Sequence, residues 1–170
     1  MDRPEIALTL NELVVDHVHT TLYDEKVQWQ PPLSGALRGL TAAEAAWKPA
    51  PARHSIWQIV RHLILWKRAV LQAWDGHPPD GHQIGAADWQ EIAGTEAEWE
   101  RDRRTLLDTS TEFLSRAQAL DETRLSRRIV WYKGGMTQPL AVRIVRTTTH
   151  DIYHAGQIMY LRALQGIPAR

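Results

Sequence analysis

The chain contains no cysteine. That excludes disulfides, a thiolate nucleophile, iron–sulfur clusters and thiolate zinc sites, so any metal must be held by His, Asp, Glu or main chain. There is no surplus charge of either sign, since twenty Lys and Arg balance twenty Asp and Glu. Without a basic field to hold a phosphate backbone, no nucleic-acid partner is expected. Long apolar runs are missing as well: stretches such as Ile64-Leu65-Trp66 are far too short to span a bilayer. The first residues, Met1-Asp2-Arg3-Pro4-Glu5, are polar and unlike a signal peptide, so the expectation is a cytoplasmic protein with no membrane partner. Phenylalanine occurs once, against eight tryptophans. An indole buries a large area while keeping one N–H donor, so the core or a pocket should be rich in Trp.

What is present suits one domain over residues 1–170, with 44% apolar and 24% charged residues. Helix start signals recur along it. Asp2 with Glu5, and Pro4 just inside, reads as a capping box for a first helix, with Ile6, Leu10, Leu13, Val14, Val18 and Leu22 at helical spacing until Pro31-Pro32. Thr41 with Glu44 opens a short connecting helix that Pro49 and Pro51 forbid from continuing. Ser55 with Gln58 opens a second long helix to about Trp74, apolar on most of its circumference and therefore placed in the centre of a bundle. The loop through Gly81 and Gly85 is weakly specified. Asp88 with Glu91, and Thr95 with Glu98, mark the start of a third helix, whose Trp99, Leu106, Phe113 and Leu120 fall seven apart. Between Leu125 and Gln138 residues alternate and Gly134-Gly135 follows, as in a short hairpin or ribbon. A last helix runs from near Pro139 to about Leu164. The fold class is all-α: a four-helix bundle with a short β-hairpin before the last helix.

On the last helix, Arg143, Thr147, His150, His154 and Gln157 are spaced by four, three, four and three, one continuous polar stripe. A bundle helix cannot bury such a stripe without giving it partners, so it faces water or lines a site. His150 and His154 lie one above the other and can point at one cation, although a solvated pair meets the same spacing. His62 sits mid-helix in the most apolar segment, where a hydrogen-bonded core histidine is the plain alternative. Taken with the stripe, a third ligand is the economical account. Three neutral imidazoles leave coordination positions open to water or substrate, as in catalytic rather than structural metal sites.

The segment Ser55-Ile56-Trp57-Gln58-Ile59-Val60-Arg61-His62-Leu63 resembles the second-helix motif of the DinB/YfiT-like superfamily. His150-Asp151-Ile152-Tyr153-His154-Ala155-Gly156-Gln157-Ile158 is similar to its last-helix motif, and Trp47-Lys48-Pro49 to its lead-in. The resemblance spans about Thr41 to Gly166. It implies a four-helix bundle carrying a divalent metal, usually zinc or nickel, on His62, His150 and His154. It also implies relatives that are transferases or isomerases using low-molecular-weight bacterial thiols, and commonly homodimers.

Other residues divide between roles. Gln157 is a candidate to donate to a metal-bound water or to cap the helix interface. Asp151 is a candidate to orient a ligand imidazole, although an exposed helix carboxylate is the expected reading. His17, on the first helix's apolar face, is a candidate fourth ligand or supporting group. Gly156 is expected to allow close approach by a neighbouring helix. His54, His77 and His82 read as surface, and Trp57, Trp66 and Trp131 as core. Arg53, Arg61 and Arg143 are candidates for a cofactor carboxylate, against a solvated reading.

The expected chemistry is a metal-dependent transfer in which a bound low-molecular-weight thiol attacks a small electrophile. With no cysteine in the chain, the nucleophile comes from the cosubstrate. Two alternatives stay open: a hydrolase using metal-bound hydroxide, and a metal-binding or structural bundle that catalyses nothing. No residue near the motifs stands out as general acid or base.

Overall fold

A computed structural model describes residues 8–23 and 29–168. The proposed Asp2–Glu5 cap and Ile6 lie outside the described residues. The first helix, α1 (Leu10–Leu22), is opened instead by a capping box of Thr9 and Glu12. Its bundle face is narrower than the spacing suggested: Val14, Val18 and Leu22 are buried, while Leu10 and Leu13 are exposed. Asn11 takes part too, donating to the carbonyls of Ala117 at 3.1 Å and Leu120 at 2.7 Å. The helix stops well before Pro31-Pro32, and Pro32 is the N-cap of a short helix that the pattern did not signal, α2 (Leu33–Ala36).

Both central capping boxes form as expected. Thr41 and Glu44 open α3 (Ala42–Ala46), and Ser55 and Gln58 open α4 (Ile56–Trp74). In each, the cap oxygen accepts an otherwise orphaned helix N–H while the third residue reaches back to the cap. The segment through Gly81 and Gly85 is helical, α5 (Gly81–Ala87), because Asp80 accepts from the N–H groups of His82 and Gln83. Thr95 with Glu98 opens α6 (Glu96–Gln118); Asp88 lies before it in a non-helical segment and does not cap it. Of the seven-residue seam, Trp99, Leu106 and Phe113 are fully buried, and Leu120 packs on the core from just beyond the helix.

Leu125 belongs to a short helix, α7 (Glu122–Ser126), which shortens the ribbon to β1 (Arg128–Val130) and β2 (Thr137–Pro139). The strands pair antiparallel with Ile129 opposite Gln138. Pro139 then caps α8 (Leu140–Leu164), and Gly166 takes the left-handed conformation, φ 70°, beyond its end.

The four long helices form a square in which α1 and α4 each touch both α6 and α8. A square has no central helix, so α4 is not at the centre. Its broad apolar circumference is explained from outside, where α3, α5 and β1 cover the face turned away from the bundle. Trp57 and Trp99 fill the core edge to face, 5.6 Å between ring centroids. Their indole N–H groups donate to Asp102 at 2.8 Å and to the Leu40 carbonyl at 2.7 Å, the condition for burying Trp without loss. No described helix is long and apolar enough to cross a membrane.

Candidate metal centre

α4 and α8 pack as neighbours along one side of the square, and their polar positions meet near mid-length. His62 Nε2 and His154 Nε2 each lie 3.0 Å from His150 Nε2. Among the described residues, these three side chains are the group able to hold a metal ion, with ligand atoms all within 4.8 Å of one another. The rings pack at 4.5–4.9 Å between centroids, those of His150 and His154 at 88° to each other.

The far side of two rings is anchored. His62 Nδ1 lies 2.9 Å from both carboxylate oxygens of Asp88. A carboxylate only accepts, so Nδ1 carries the proton and Nε2 presents a lone pair. Asp88 is itself held by donors from the Trp66 indole at 2.8 Å and the Trp89 main chain at 3.0 Å. His154 Nδ1 donates to Gln157 Oε1 at 2.7 Å, while the Gln157 amide donates to the Tyr153 hydroxyl at 2.8 Å. Gln157 therefore supports a ring from behind.

The segment carrying Asp88 is pinned by the cap of α4. Gln58, whose Oε1 accepts from Ser55 N–H, donates from its amide to the carbonyls of Trp89 and Gln90. Trp89 has φ 56°, an unfavourable backbone for a bulky residue that only its surroundings can maintain. Its indole stacks on His62 at 4.1 Å and on His54 at 3.8 Å, a three-ring sandwich that shields one face of the site. Exposed His54 thus has a contact that its loop position did not suggest.

Burial keeps the rings neutral. The pKa of His154 is pushed down to about 3 and that of His150 to about 4, chiefly by burial and next by a neighbouring imidazole. Burial also lowers His62, partly opposed by the Asp88 carboxylate. Neutral imidazole is the form that ligates.

The donor set fits a cation. With Nδ1 protonated on His62 and His154, two lone pairs face His150 Nε2, which has at most one proton to offer. One acceptor stays unmet unless a positive centre takes all three. Metal–nitrogen bonds of about 2.0–2.1 Å at angles of about 90–109° place ligand atoms roughly 2.8–3.4 Å apart, a range that includes the two 3.0 Å separations to His150 Nε2.

The remaining candidates lie elsewhere. Asp151 is not an exposed carboxylate: it is 1% exposed and bonded to Lys67 Nζ at 2.7 Å, with its other oxygen unpartnered, so it orients no imidazole. His17 lies on α1, outside the three-ring group, with a buried Nε2 that lacks a partner. Gly156 meets no neighbouring helix; nothing lies within 4 Å of where a Cβ would stand, and it borders an apolar cavity of about 680 Å³. Trp66 and Trp131 are half-buried and line a second cavity of about 350 Å³ against His62 and His150, and Trp131 packs on the core as well. Trp89 and Lys67 carry no site signal in the sequence, and Asp88 signals only a helix start. Asp88 stands 26 residues from His62, beyond any helical spacing, and looked like a helix cap.

No curated protein and no solved structure matches the chain. A family model described as the DinB superfamily matches residues 28–158, starting earlier and ending sooner than the motif resemblance. That match takes in α4, the Asp88 segment and both α8 histidines, and the chain belongs to the DinB superfamily.

Proposed function

We propose that His62, His150 and His154 hold one divalent metal ion, zinc or nickel, through their Nε2 atoms. The reading adds that the protein transfers a low-molecular-weight thiol onto an electrophile. The observation that carries it is the convergence of three neutral Nε2 atoms with two of the rings anchored from behind. A divalent ion there supplies Lewis acidity, lowering the pKa of a thiol so that thiolate is available at neutral pH.

The chain's own residues do the rest. Asp88 and Gln157 fix ring orientation and keep the protons on Nδ1. Trp89 covers one side of His62, while the cavity beside His62 and His150 leaves the other approach open. Because no cysteine exists in the chain, the sulfur nucleophile has to enter with the cosubstrate. The thiol and the transferase reaction rest on the family's implied chemistry and on this open approach. A homodimer belongs to the same reading on the resemblance alone, and light scattering tests it.

Metal content of untagged protein, measured by mass spectrometry beside His154→Ala, tests the centre. One divalent ion per chain, lost in the variant, is expected, together with thiol-dependent turnover of a chromogenic aryl halide by wild type only. A wild type that stays metal-free after incubation with zinc and nickel overturns the centre. Bound metal without thiol dependence overturns the transferase and leaves either a hydrolase using metal-bound hydroxide or a non-catalytic metal protein.

A further inference from the structure

The cavity of about 350 Å³ beside the histidines has a second polar end. His62 and His150 form one end; Arg143 and Arg146 line the other, with Trp66 and Trp131 as walls. The Arg143 guanidinium lies over the Trp131 ring, 4.2 Å from its centroid, so stacking sets its plane. Its Nε is buried without a hydrogen-bond partner.

Three other arginines are paired with acids. Arg61, Arg103 and Arg116 each meet a carboxylate at 2.7 Å. No carboxylate is among the described residues lining the Arg143 cavity. Arg146 is tethered at the rim to Gln138 Oε1 at 2.9 Å and adds a second positive charge. The Arg143 guanidinium is half-buried and no described carboxylate pairs with it, so a planar carboxylate in the cavity can take paired bonds from its terminal N–H groups.

We propose that Arg143 binds a carboxylate of the ligand whose reacting end meets the three-histidine centre, so that the substrate or cosubstrate is an organic acid. This rests on the metal-centre reading for the identity of the reacting end. Arg143 and His150 are seven residues apart on α8, about 10 Å along the helix axis. The acid therefore carries its carboxylate several bonds from the reacting atom, and the indole walls favour an apolar spacer.

Calorimetry on two matched pairs of probes tests this. Zinc-loaded protein receives 6-mercaptohexanoate or 6-mercaptohexanol, and metal-stripped protein receives hexanoate or 1-hexanol. Each acid is expected to bind about tenfold tighter than its alcohol, a preference lost in Arg143→Gln and partly kept in Arg143→Lys. Zinc content is expected to be unchanged in both variants, and circular dichroism verifies that they fold. Equal affinity for acid and alcohol in wild type, or a preference that survives Arg143→Gln, overturns the proposal. The metal-free pair separates the two claims, since failure of the metal centre leaves the hexanoate preference intact.

Discussion

Asp88 accepts from His62 Nδ1 at 2.9 Å while the opposite nitrogen of the same ring lies 3.0 Å from His150 Nε2. The carboxylate thereby selects the tautomer that turns a lone pair inward. It is held in turn by the Trp66 indole and the Trp89 main chain, so the imidazole has little freedom to rotate.

Replacing that carboxylate by an amide tests the relationship. Asp88→Asn keeps the shape but can turn a donor toward Nδ1, favouring a proton on Nε2. Zinc affinity, read by chelator competition, is expected to fall about 10–100-fold with helicity preserved. Unchanged affinity would mean that Asp88 contributes packing and nothing to the ring.

The depressed histidines make the metal-free protein acid-sensitive. The folded pKa values, about 4 for His150 and about 3 for His154, lie below the ordinary 6.5, so between these limits the unfolded chain takes up protons that the folded one refuses. Stability is therefore full above about 6.5 and is lost as pH falls toward 4 and then 3. Urea midpoints from pH 8 to 4 should decline below 6.5 in wild type and decline less in a His150→Gln/His154→Gln double variant. Parallel profiles would contradict the assignment.

Lys67 and Asp151, each 1% exposed, form an ion pair inside the square, and Lys67 also donates to Ser110 at 2.8 Å. Removing one partner strands a buried charge. Asp151→Ala is expected to destabilise by about 3–5 kcal/mol, whereas Lys67→Met with Asp151→Leu should recover most of that loss. Denaturant titration of the single and double variants decides it, and additive losses would count against a coupled pair.

Gly156 lies within α8 with open space where a side chain would begin. Gly156→Ala should therefore stabilise the helix by up to about 1 kcal/mol, visible as a higher urea midpoint. A lower midpoint would restore the close helix approach that its place in the motif suggested.

The family motifs, the all-α bundle and the His150–His154 pair were legible because each is written at short range, whereas His62, 88 residues from His150, joins them in the sequence only through the stripe and the resemblance. Capping boxes at Thr41, Ser55 and Thr95 span four residues, and the His150–His154 pair needs only one helical turn. The Trp99, Leu106 and Phe113 seam is likewise a single helix's own periodicity. What encircles the histidines depends on contacts between distant parts of the chain. Asp88 reads locally as a helix cap and becomes His62's partner only when Gln58 and Trp66 on α4 bind its segment. Asp151 reads as a surface acid until α4, 84 residues away, brings Lys67 against it. Arg143 and Trp131 come from α8 and the residue after β1, and only their packing makes a positively charged end to the cavity. Local spacing places side chains on a helix face. Which charge is buried, which ring is anchored and which cation is left without a carboxylate are set when those faces meet, because desolvation and pairing depend on neighbours from other elements.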